Sequence, residues 1–197
     1  MALGLMLIMS FTTSTYVLLY MTTYASQTLH LGPGASFAAS VANGVCGVVF
    51  TLTGGALADR FGRKPVMITA RILFLLSTLP AFLLMVHFHD GLTVMLCTGL
   101  MSALSSTSVG VAIVALSESM RKEMRSMGLA VIYAIGVAVF GGIVQPYVTW
   151  LIKATASPMA PAWYMMAAAL VGIVAMCLMT EIRPGAALDE AAPVELA

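Results

Sequence analysis

Charge is what this sequence is shortest of. Only 9% of its 197 residues are Asp, Glu, Lys or Arg, where a soluble domain carries about 25%. With 60% hydrophobic residues the chain cannot cover itself with a polar surface, which excludes a water-soluble globular fold. A net charge of +1 argues against a nucleic-acid partner. Cysteine is scarce too. Cys46, Cys97 and Cys177 fall inside apolar runs with no CxxC spacing, so they read as small buried hydrophobes, not as a disulfide or a metal site. The three histidines, His30, His87 and His89, lie between apolar runs, and no acid lies deep in one. An intramembrane protease therefore lacks its base. No catalytic residue, metal or cofactor is expected, and the chain does not read as an enzyme. A channel's filter-like sequence is missing as well, and so is the basic n-region of a signal peptide.

What is present is a series of long apolar runs, each near the roughly 20 residues that cross a bilayer. Breakers and charged loops divide the chain into six helices at about 2–28, 36–58, 65–87, 92–117, 126–152 and 162–179. Ser36 is expected to cap the second helix, and Pro65 to open the third. The tail, 182–197, reads as disordered because it is polar and rich in Pro, Gly and Ala. Arg60, Arg63, Lys64, Arg71, Arg121, Lys122, Arg125 and Arg183 belong to one face, and only Lys153 to the other. By the positive-inside rule that basic face is cytoplasmic, together with both termini. Arg71 is about two turns into the third helix, within snorkelling reach of that surface.

Polar residues are spread unevenly over the spans. Thr12, Tyr16, Tyr20, Thr23 and Gln27 share one face of the first helix, and Thr98, Ser102, Ser105 and Ser106 one face of the fourth. Hydroxyls gain nothing from lipid, so these stripes face either other helices or a wet cavity. Tyr16, Tyr20, Tyr24, Asn43, Ser102, Ser105 and Ser106 are the candidate cavity residues. The second and fifth helices are rich in glycine, and the third and sixth nearly featureless.

Asp59 and Glu118 each close a helix at the basic face, where an acid opposes the helix dipole and needs another stabiliser, an arginine or the N-terminus of a neighbouring helix. Gly55, Asp59, Arg60, Gly62, Arg63, Lys64, Glu118 and Arg125 are therefore expected to form a cytoplasmic electrostatic gate. Exposed ion pairs contribute only about 0–1 kcal/mol each, so the gate would act through several at once.

The stretch Gly55-Ala56-Leu57-Ala58-Asp59-Arg60-Phe61-Gly62-Arg63-Lys64 resembles the signature loop of the major facilitator superfamily at every fixed position. That resemblance implies twelve helices in two six-helix halves, around a cavity lined by the first and fourth helices of each half. The fourth helix lacks the arginine and glycine-spaced motif usual in a first half. The fold expected is thus all-α, the C-terminal six-helix half of a major facilitator fold. Phe140–Tyr147, Trp150–Ile152 and Pro158–Tyr164 are similar to the end of metabolite:proton symporters, above all citrate or tricarballylate carriers. The implied function is proton-coupled transport of a small organic acid across the cell (inner) membrane. Met1 begins almost inside a helix, so a C-terminal fragment is expected, working with a second copy or a separate N-terminal half. The alternative is a truncated fragment that does not transport without that half.

Overall fold

The computed structural model describes residues 2–118 and 125–178. The charged segment with Arg121, Lys122 and Glu123, the side chains of Glu118 and Arg125, and the tail 182–197 lie outside the described residues. Six spans cross from end to end: α1 (Ala2–Gln27), α2 (Pro33–Phe61), α3 (Arg63–Phe88), α4 (Gly91–Glu118), a fifth built from α5 (Arg125–Ile135), a π-helical segment (Gly136–Gly141) and α6 (Gly142–Thr155), and α7 (Ala160–Leu178). Each of the six is long and apolar enough to cross a membrane. Among the described residues every regular element is helical, as expected where backbone groups must be satisfied within their own segment.

Local chemistry sets the breaks, and two differ from expectation. α2 starts at Pro33 rather than Ser36. Proline at the first position loses no hydrogen bond, because that N–H has no partner in any helix. Ser36 sits one turn inside, buried, its hydroxyl unpartnered among the described residues. The signature stretch is not a loop. Asp59 and Arg60 belong to the last turn of α2, and α3 starts at Arg63. Gly62 alone separates the two helices, at φ 92° and ψ 151°, with its N–H on the Ala58 carbonyl at 3.0 Å. A side chain is strained at that φ, so glycine lets a single residue do the work of a loop. At the opposite end His89 closes α3 at φ 47° and Ala156 closes α6 at φ 49°.

α1 is the most enclosed span and α2 the least. α1 packs on α7, α2, α4 and the fifth span, while α4 is flanked by α2 and α3. Near the His89 end the core holds Tyr24, Phe74, Phe82, Met85 and Met165, with Tyr24 edge-on to Phe82 at 5.7 Å. Near the Gly62 end it holds Leu7, Phe11, Met67, Val111 and Met176. Without a hydrophobic drive between helices in lipid, close approach at small residues becomes the source of contact. The α2–α4 pair shows this best. A Cβ on Gly54 would lie 3.0 Å from the Thr107 Cα and 3.1 Å from its carbonyl oxygen, and one on Gly110 2.9 Å from the Thr51 methyl.

Gly54→Val is expected to destabilise the bundle by about 1–3 kcal/mol, since backbone cannot give way as a side chain does. Gly44→Ala, into open space on the same helix, should be neutral or slightly stabilising. Thermal unfolding in detergent measures both.

Candidate functional site

The polar stripe of α1 faces the fifth span, and two pockets open along that seam. One holds about 220 Å³ and is lined by Phe11, Thr12, Thr15 and Tyr16 of α1, Val109 and Ile113 of α4, and Tyr133 and Val137 of the fifth span. The other, nearer the His89 end, holds about 380 Å³ and includes Tyr20, Gln27, Thr149 and Lys153. Of the residues expected to share one face, Thr12 and Tyr16 line the first pocket and Tyr20 and Gln27 the second, while Thr23 lines neither.

The fifth span follows α1 closely between them. A Cβ on Gly141 would lie 2.7 Å from the Tyr16 ring, and one on Gly136 would collide with Ile8. These glycines bound the π-helical segment. The extra residue in its turn shifts the register of the helix, so Tyr133 and Thr149 both reach the α1 side. Such wide turns recur at functional positions. Above the segment the Tyr20 and Thr149 hydroxyls are hydrogen-bonded at 3.1 Å.

Other expected cavity residues sit elsewhere. Tyr24 is fully buried and donates to the Pro158 carbonyl at 2.7 Å, which pins the α6–α7 connection to α1. Ser102 is buried and donates to the Asn43 carbonyl at 2.8 Å, bridging α4 to α2. Gly47 lies against the hydroxyls of Ser102 and Ser106. Ser105 is buried and Asn43 half-buried; neither lines either seam pocket. Of the gate residues, Asp59 and Arg60 are exposed, and Gly55, Gly62, Arg63 and Lys64 half-buried. The Lys64 Nζ donates to the Cys177 carbonyl at 3.4 Å, joining the ends of α3 and α7. The gate's other members, Glu118 and Arg125, have side chains outside the described residues.

Arg71 does not snorkel. It is wholly buried where α3 packs on α7, and its side chain reaches across to α1. Its Nη2 donates to the Ser10 carbonyl at 3.0 Å, the Ser10 hydroxyl at 2.6 Å and the Ser14 hydroxyl at 2.8 Å. The guanidinium packs 5.1 Å from the Phe11 ring centre and 4.9 Å from that of Phe74, which replaces part of its lost hydration. Gly172 makes the room, since a Cβ there would lie 3.5 Å from Nε and meet Ser10. Nε and Nη1 have no hydrogen-bond partner among the described residues. Packing by α1 and α7 closes the route to the surface that a lone helix would leave open. Phe11 connects this charge to the seam: one side of the ring meets the guanidinium and the residue lines the 220 Å³ pocket.

Six membrane-length spans, tied by buried hydroxyls and clefted between the first and fifth, define a multi-pass helical membrane protein. The sequence profile of the Major Facilitator Superfamily matches residues 3–195, and the chain belongs to that superfamily, a family of transporters and not of enzymes. It is 29% identical over 175 residues to the citrate-proton symporter of Salmonella typhi, covering 89% of this chain and 40% of the relative. Against the citrate-proton symporter of Klebsiella pneumoniae it is 30% identical, covering 88% and 39%. Against the proline/betaine transporter of Escherichia coli K12 it is 28% identical, covering 84% and 33%. The chain thus spans two fifths or less of the length of these curated relatives. No solved structure matches it.

Arg71 yields a prediction of sign. The Ser14 hydroxyl already donates to the Ser10 carbonyl at 3.0 Å and the Ser10 hydroxyl to Ala168, so removing the guanidinium orphans no donor. Arg71→Met should leave the thermal midpoint in detergent unchanged or raise it, because the buried charge costs more than neutral acceptors return. Arg71→Ala, which also leaves a cavity, should lower stability by about 2–4 kcal/mol.

Proposed function

We propose that this chain forms one wall of a secondary transporter that moves a small carboxylate with protons across the cell (inner) membrane. The observation that carries the reading is the polar seam between α1 and the fifth span in a bundle of this superfamily. Thr12, Thr15, Tyr16 and Tyr133, each of which carries a hydroxyl, line one pocket, and hydroxyls are donors to a carboxylate's oxygens. The named cargoes of the relatives, citrate on one hand and proline or betaine on the other, share a carboxylate. Citrate-like acids are favoured because the two citrate-proton symporters are the more identical to this chain, at 29% and 30% against 28% for the Escherichia coli proline/betaine transporter. Thr15, Leu19 and Tyr133 are exposed on the pocket's open side. A second wall, from another copy or a separate N-terminal half, would close it, and alternating access would rock the walls about this site.

The positive-inside asymmetry puts the Gly62 end in the cytoplasm. There Asp59 serves as part of a latch. Its exposed carboxylate has no partner within the described bundle and is free to meet cations across the mouth.

Uptake of labelled citrate into proteoliposomes, with this chain alone and with a co-expressed N-terminal half, tests the reading. Transport is expected with the second wall present, and Tyr16→Phe should lower it by about tenfold through loss of one bond to a charged group. No uptake in either arrangement would overturn the reading and leave a membrane fragment without transport. Asp59→Asn should slow turnover and leave membrane insertion intact; unchanged transport would remove the latch.

A further inference from the structure

We propose that the 380 Å³ pocket at the His89 end is a second, separate carboxylate-binding site centred on Lys153. Lys153 is the only Lys or Arg in the chain between Arg125 and Arg183. It stands in the last turn of α6, on the rim of the pocket, with its ammonium in no hydrogen bond or ion pair among the described residues. Around it the lining brings Tyr20, Gln27, Thr28, Thr149 and Ser157, and no carboxylate. Beside Ile152, Ala156 and Pro158, the polar neighbours of this cation are hydroxyls and an amide, the composition of an anion site: one charge to attract, with Gln27, Thr28 and Ser157 as neutral donors to orient.

The pocket's frame is fixed before any ligand arrives. Tyr20 and Thr149 are bonded across its floor, Thr149 is tied back to the Gln145 carbonyl at 2.9 Å, and Tyr24 holds Pro158 in place. Ser157 accepts the Met159 N–H at 3.3 Å, which leaves its own proton free to point inward. Preorganised donors spare a ligand the cost of ordering them. The site lies on the same seam as the α1–α4–α5 pocket, with the Tyr16–Gly141 contact between them. It therefore has the position of a vestibule through which a carboxylate passes before or after the deeper pocket. Only the vestibule role and the choice of citrate as probe rest on the transport reading; binding at Lys153 does not.

Acylation of Lys153 by a water-soluble N-hydroxysuccinimide ester tests this, with the full chain in lipid nanodiscs and the labelled peptide read by mass spectrometry. Citrate at constant ionic strength should slow labelling saturably, by about tenfold at saturation as the ammonium becomes paired. Chloride and glycerol should give no protection. Gln27→Ala and Thr149→Val, which leave the lysine in place, should weaken the protection. Equal protection by chloride, or none by citrate, would overturn the proposal. Citrate uptake without protection removes the Lys153 site alone; protection without uptake supports the site and removes only the transport reading.

Discussion

A bilayer core offers no hydrogen bonds, so every polar atom placed inside it must find its partner within the protein. Most hydroxyls of this bundle obey that constraint in two ways, while those of Thr13, Ser36 and Thr98 are buried without a partner among the described residues. Thr51, Thr69, Thr78 and Thr155 return to carbonyls four residues back on their own helices, which costs nothing in topology. Ser10, Ser102 and Ser108 reach instead to carbonyls of other spans, and Tyr24 to one in the α6–α7 connection. These bridges fix α1 against α7, α1 against the α6–α7 connection, α4 against α2 and α4 against α3. They decide which residues remain to face a cavity.

Arg71 is the extreme case. A guanidinium has five donors, and here one nitrogen meets three neutral acceptors while two aromatic rings cover the faces of the group. Such a group is weak evidence for stability. The ring of one residue, Phe11, lies against the buried charge, and the same residue lines the pocket.

The seam between α1 and the fifth span depends on close approach. Gly136 and Gly141 admit Ile8 and the Tyr16 ring where larger residues would hold the helices apart. The π-helical segment between them carries the register change that puts side chains from both halves of the span on one side. Two pockets result, one with aromatic and threonine hydroxyls and the other with a lysine at its rim. In a chain of a transporter family, this seam is where the described residues gather hydroxyls and a cation beside a cavity.

The number of spans, their membrane length and the superfamily were legible in the sequence, because hydropathy and a fixed glycine–acid–arginine pattern are local properties. So was the polar face of α1, since a 3.6-residue period needs no tertiary information. Which neighbour each stripe meets was not legible. Ser102 and Ser106 share a face by spacing, yet that face packs on α2; Tyr24 belongs to the α1 set, yet spends its hydroxyl on Pro158. Arg71 looked able to reach the surface because one helix by itself leaves that path open, and only the packing of α1 and α7 closes it. Sequence periodicity determined which side chains point the same way. The tertiary structure alone decided whether that way holds another helix, a cavity or lipid, because that depends on partners far away along the chain.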